Sequence, residues 1–142
     1  MNAMVDSLHE VPLFRDLSRR DLKRLASSMS EKSCVAGDEV VSEGSGGVGF
    51  FVILSGHARV THAGEELGRL GPGDYFGEMA LIDGHHRAAT VVAADDELRW
   101  AAMTTWHFRP FVKDHPDVAW ALLTALVKRV REDQARHAVA TS

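Results

Sequence analysis

Residues 76–91 read FGEMALIDGHHRAATV. Glu78 and Arg87 stand nine positions apart, with an apolar run, Gly84 and the pair His85-His86 between them. Gly77 can open a short helix that a ligand approaches closely, because no side chain stands in the way. Free N–H groups at such a helix start favour an anion. Arg87 adds a planar donor fork matched to phosphate oxygens, and the small Ala88 and Ala89 keep the next strand open to close contact. A glutamate beside an anion needs a reason. A carboxylate only accepts, so Glu78 calls for a donor, and a ribose hydroxyl supplies one. The stretch therefore suits a small molecule carrying both a phosphate and a sugar. An exposed Glu–Arg pair worth about 0–1 kcal/mol accounts for the spacing equally well, and on spacing alone the two readings stand level.

The surrounding chain divides into three parts. All 12 glycines fall between Gly37 and Gly84. Before them, Ser18 precedes RRDLKRLASSM with Asp21 three residues on, close to a capping box. Leu22, Leu25, Ala26 and Met29 then recur on one helix face. The glycine-rich middle predicts short strands over Glu39–Ser42, Val48–Leu54, Ala58–Thr61, Leu67–Leu70, Arg87–Ala93 and Leu98–Met103. Turn residues separate these strands, the pattern of a sandwich or barrel. Gly77–Ile82 interrupts it as a helical turn or two. After the strands, Thr104 caps a helix through Phe111, and Pro116 suits the first turn of a longer one. Val118, Leu122, Leu126 and Val130 mark a stripe on that last helix, with Leu123 and Val127 beside it. The polar segment beyond Val130 calls for a ligand or partner to order it.

Composition narrows the function. At 142 residues the chain suits one domain that buries roughly two-thirds of its unfolded surface. A net charge of -4 argues against a general nucleic-acid binder. The single Cys34 fits a reducing, cytoplasmic setting. MNAMVDSLHEVPL does not read as a signal peptide, having no basic cluster followed by a long apolar run, and no apolar run of about 18 residues is found in these 142 residues. GSGGVG at Gly44–Gly49 satisfies the G-x-G-x-x-G pattern, but FFVIL follows it where a dinucleotide site needs a helix, so it reads as a hairpin or loop. Metal binding on a small barrel calls for an H-x-H pair. Here His85 adjoins His86, and His57 and His62 lie five apart, so each pair diverges on a strand. Lys128, Arg129, Arg131 and Arg136 are interrupted by Glu132 and Asp133 and read as a solvated helix face.

The opening stretch resembles the phosphate-binding cassette of the cyclic nucleotide-binding domain family, which includes catabolite activator proteins and regulatory subunits of cAMP-dependent protein kinase. That cassette runs Phe-Gly-Glu, a hydrophobic residue, Ala, a short loop, then Arg-Ala-Ala-Thr-Val. PLFRDLS, GDEVVSEG, FFVILSGHARV, LGPGDYFGE and the Pro116 helix follow family order, so the likeness covers roughly residues 10–132. His85-His86 departs from the small or proline-containing loop of some relatives, which affects loop shape.

The resemblance implies a mainly β fold with flanking helices. This is a β-roll (jelly-roll-like, a double-stranded β-helix) with an N-terminal helix, a short phosphate-binding helix and C-terminal helices. It divides 1–142 into a helical head to about 34, a roll over about 35–103 and helices over about 104–138. It implies that Glu78 accepts from the ribose 2′-hydroxyl and Arg87 grips the cyclic phosphate. Gly77, Met79, Ala80, Ala88 and Ala89 line sugar and phosphate. Val60, Leu67 and Gly68 wall the base pocket, and Val130, Arg131 and Gln134 are candidates for its lid. Ala88, where sites preferring cGMP often carry threonine, points to cAMP. The implied activity is sensing without catalysis, cofactor or metal. Binding tightens Gly77–Ile82, Leu81 repacks, and the Asp117–Ala138 helix moves. The implied partners are the nucleotide and either a protein effector or a second copy, with no nucleic acid and no membrane. The alternatives are a degenerate member that keeps the roll for dimerisation or docking, against which Glu78 and Arg87 speak, and a cupin-like metalloenzyme.

Overall fold

The computed structural model describes residues 3–41, 49–77 and 89–141. Two short helical segments, α1 (Ala3–His9) and a 3-10 turn (Pro12–Phe14), lead into α2 (Arg19–Ser27). Ser18 caps α2 as its sequence predicts: its Oγ accepts from the backbone N–H of Asp21 at 3.1 Å. The predicted stripe of Leu22, Leu25, Ala26 and Met29 is buried.

Among the described residues eight strands follow: β1 (Ser30–Cys34), β2 (Glu39–Val41), β3 (Phe50–Ser55), β4 (Ala58–His62), β5 (Glu65–Leu70), β6 (Tyr75–Phe76), β7 (Thr90–Ala93) and β8 (Leu98–Met103). They form two four-stranded sheets, β1-β8-β3-β6 and β2-β7-β4-β5, with every pair antiparallel. This is the expected mainly β roll with flanking helices. The sheet begins earlier than the sequence suggests, at Ser30 rather than near residue 35. SEKSC lacks an apolar alternation because β1 is an edge strand with one neighbour and mostly exposed side chains. It is held by its ladder to β8 and by Arg99 donating to Glu31 Oε1 at 2.6 Å. The two-residue β6 is too short for any pattern to announce. β5 starts two residues before the expected Leu67, and β7 starts at Thr90. Strand β3 follows Gly49 directly, which excludes the helix a dinucleotide fingerprint needs.

Alternation along β3 and β8 gives the first sheet two apolar faces. Phe50, Val52, Ala101 and Met103 pack with Phe14, Leu22, Leu25, Phe108, Val118 and Leu122 of the helical layer. Ile53, Leu98 and Trp100 pack with Ala58, Val91 and Ala93 of the second sheet. The order of layers is therefore helices, sheet, sheet.

At the C-terminal end, α3 (Thr105–Asp114) runs three residues past the expected Phe111, and α4 spans Pro116–Thr141. The stripe predicted on α4 is buried only at its start. Val118 and Leu122 enter the core, Leu126 is half-buried, and Val130 is exposed, because the helix outruns the body that it packs against.

Candidate functional site

Chain direction brings both ends of the 76–91 stretch to one end of the roll. β3 runs from Phe50 to Ser55, turns at Gly56-His57 and returns as β4, so Phe51 and Val60 share the end away from that turn. The opposite end is filled by Ile53, Ala58, Ala93, Leu98 and Trp100. The indole N–H of Trp100 meets no acceptor among the described residues.

A braced turn delivers Phe76 to the first wall. Asp74 Oδ2 accepts from Gly71 N–H at 2.8 Å, and two backbone bonds of 2.9 Å tie Ile53 to Gly73 and Asp74. β6 then pairs Phe76 with Phe51, and the rings stack at 4.9 Å and 23°. Gly77 follows with φ 96°, a left-handed conformation that a side chain would strain. The stretch thus leaves the edge of one sheet through a residue that has to be glycine-like.

The second wall is the inner face of the other sheet. Val60 lies opposite Gly68 on one side and Val91 on the other. Among the described residues, a side chain at Gly68 would meet nothing within 4 Å. Ala89 and the buried Thr90 bring the chain back at this same end, where Thr90 pairs with Thr61. Phe76–Gly77 and Ala89–Thr90 are therefore anchored on the two sheets at the same end of the roll.

Of the predicted site residues, Gly77, Ala89, Val60 and Gly68 stand at this end. Glu78, Met79, Ala80, Arg87 and Ala88 lie outside the described residues, as do Leu81 and the rest of the expected helical turn. Leu67 is 63% exposed: a bulge between Val60 and Thr61 leaves it without a direct cross-strand partner. Val130, Arg131 and Gln134 line a groove with Leu123, Leu126 and Val127. All six belong to α4, and none of the strand residues predicted to wall the base pocket borders that groove. Phe51 and Thr90 also stand at this end. The alternation in FFVIL places Phe51 and Ile53 together, but only the sheet order shows which face looks inward.

Outside this end, His57 Nδ1 lies 2.7 Å from Asp95 Oδ2 on the exposed β3–β4 turn. Among the described residues no group of three or more His, Cys, Asp and Glu side chains converges. Burial first, and the Asp38 carboxylate second, push the Cys34 thiol above its ordinary pKa. Cys34 thus stays a protonated packing residue.

The family model of the cyclic nucleotide-binding domain matches residues 31–115, more than half of the chain. The chain belongs to the cyclic nucleotide-binding domain family. Its sequence is 41% identical over 103 residues to a cAMP-dependent protein kinase regulatory subunit of Mycosarcoma maydis, covering 68% of this chain and 20% of the relative. Its fold is similar to the Thermus thermophilus catabolite activator protein, with TM-score 0.82 and 29% identity over 92% of this chain and 63% of that one. It is also similar to the N-terminal domain of a transcriptional regulator from Streptomyces coelicolor A3(2), with TM-score 0.69 and 32% identity over 92% and 93% of the two chains. The chain spans about one fifth of the length of the curated kinase relatives it matches. Those relatives are named as regulatory subunits. No helix among the described residues is long and apolar enough to cross a membrane.

Proposed function

We propose that this cyclic nucleotide-binding domain is a cAMP sensor that acts by shifting its C-terminal helix, without catalysis, in the cytoplasm. One observation carries the reading. A complete cassette sequence, Phe76-Gly77-Glu78 through Arg87-Ala88-Ala89-Thr90-Val91, has its two flanks on the two sheets at one end of the roll. In this reading Arg87 holds the cyclic phosphate, Glu78 latches the ribose, and Gly77, Met79, Ala80, Ala88 and Ala89 contribute close backbone approach. Val60 and Gly68 admit the base. Three or four charge-assisted hydrogen bonds, at about 1.5–3 kcal/mol each and less an association cost of several kcal/mol, support a Kd near a micromolar.

Calorimetric titration tests this directly. cAMP is expected to bind more tightly than cGMP. 2′-Deoxy-cAMP should bind about tenfold more weakly than cAMP, since Glu78 would face the phosphate without a donor to accept from. Equal affinity for the two would remove the ribose role of Glu78. A flat cAMP isotherm favours the degenerate, ligand-free alternative.

The output surface we propose is the outer face of α4, and its occupant a second copy of this chain. Trp120, Leu123, Val127 and Val130 are 52–72% exposed and recur at alternating three- and four-residue steps, the seam spacing of a coiled coil. Leu123, Leu126, Val127 and Val130 outline one hole at i, i+3, i+4 and i+7. Val127, Val130, Arg131 and Gln134 outline the next. In a parallel, in-register pair these two holes receive Val127 and Val130 of the partner helix. Sedimentation equilibrium should show a dimer that Val127→Glu converts to monomer. A wild-type monomer at high micromolar concentration would instead assign this face to a different protein.

A further inference from the structure

His115 is the one residue between α3 and α4, and its backbone serves both helices. Its N–H donates to the Val112 carbonyl at 3.3 Å and closes α3. Its carbonyl accepts from Val118 and Ala119 at 3.0 and 3.3 Å and starts α4. With φ -129° and ψ 80° it is the extended residue that Pro116 requires before it. The change of direction between the two helices is concentrated there.

The imidazole has a partner at each ring nitrogen. Nδ1 lies 2.9 Å from the Phe111 carbonyl, one turn back on α3. Nε2 lies 3.5 Å from Asp21 Oδ2 on α2, and the ring packs on Phe111 with centroids 4.4 Å apart. Phe111 in turn meets Phe14 edge-on at 6.1 Å. The His115 and Asp21 side chains are only 21% and 32% exposed. Asp21 is the ionisable side chain seen to face the ring, while Lys113, Asp114 and Asp117 adjoin it in sequence.

Donor chemistry makes this arrangement sensitive to a proton. A backbone carbonyl only accepts, so Nδ1 carries hydrogen toward Phe111. The Asp21 carboxylate also only accepts. A neutral ring with hydrogen on Nδ1 turns the Nε2 lone pair toward that carboxylate, whereas the charged ring donates to both partners. The bridge from the α3–α4 joint to α2 is therefore favourable only in the protonated state.

We propose that His115 is the positioning residue of the α3–α4 hinge and that its protonation latches the start of α4 to α2. The latch holds at the acidic end and loosens as pH rises. Its effect on ligand affinity rests on the proposed movement of α4, while the latch itself does not.

Amide hydrogen exchange in the ligand-free chain tests it at about pH 5.5 and about pH 8, the span in which imidazoles change charge, after correction for intrinsic exchange. Protection over residues 117–122 should be about fivefold greater at the acidic end. The difference should vanish in both Asp21→Asn and His115→Gln. An unchanged pH dependence in Asp21→Asn overturns the proposal, as does its absence from the wild type. If the variants do not fold, nitrogen-15 spectra of the wild type still decide. Neutral His115 should carry its hydrogen on Nδ1, and hydrogen on Nε2 refutes the geometry. Titration of cAMP at both pH values then separates the two readings. A chain that binds no nucleotide yet keeps the pH-dependent protection sinks the sensor and supports the latch.

Discussion

Arg87→Ala is expected to weaken cAMP binding roughly 100-fold while leaving the ligand-free melting curve in place. A bidentate guanidinium–phosphate contact loses two charge-assisted hydrogen bonds, about 3 kcal/mol together. At 1.4 kcal/mol per decade that is about two decades in Kd. The ligand's negative charge would remain in the site with only backbone dipoles to meet it. Arg87→Lys discriminates charge from geometry. It keeps the charge but loses the planar fork, so it should fall between wild type and alanine. Calorimetry on the three proteins provides the check. An alanine isotherm that overlays the wild type would remove Arg87 from the site, and a lysine variant equal to wild type would replace the fork by a simple point charge.

Phe50→Ala should cost about 3–5 kcal/mol of stability. Phe50 is 1% exposed and joins the first sheet to the helical layer. Its ring stacks on Phe108 at 4.9 Å, meets Phe14 edge-on at 6.4 Å and lies 5.5 Å from Tyr75. Truncation removes those contacts and leaves a cavity that rings held from three elements cannot close. For a chain of this size the loss corresponds to a fall in Tm of roughly 10 °C or more. Trp106→Ala provides the contrast. Trp106 is equally apolar but 86% exposed, and its loss should move stability by no more than about 0.5 kcal/mol. Denaturant unfolding of both variants checks the pair. A Phe50 variant within about 1 kcal/mol of wild type would mean that the helices are not anchored through this ring.

The parts of the fold that were legible in the residues are those in which one local rule acts alone. Ser18 and Asp21 announce the start of α2, and the spacing of Leu22, Leu25 and Ala26 announces its buried face. Strand β8 was expected at Leu98–Met103 and is found there, because alternate residues face two different apolar layers, with a turn before it and the cap of α3 after it. The cassette motif was legible as a family resemblance, since the spacing of Glu78 and Arg87 alone suits an ordinary exposed pair equally well. Strand β1 was not legible. SEKSC carries almost no apolar signal, and what makes it a strand is the partner β8, nearly seventy residues away. Leu67 likewise reads as a pocket wall, but it is the unpaired residue of a bulge in β5 and is mostly exposed.

By itself the chain of residues determined the cap, the helix stripes, most of the strands and the candidate ligand chemistry, because each depends on neighbours within a few positions. Only the tertiary structure decided which face of β3 looks into the roll, that Val60 pairs with Gly68, and that α4 leaves the body after Leu122. It also decided that His115 reaches Asp21. Those outcomes depend on which distant strand or helix supplies the opposing surface. Periodicity states that a side chain needs a partner, and only the packed chain says whether one arrives.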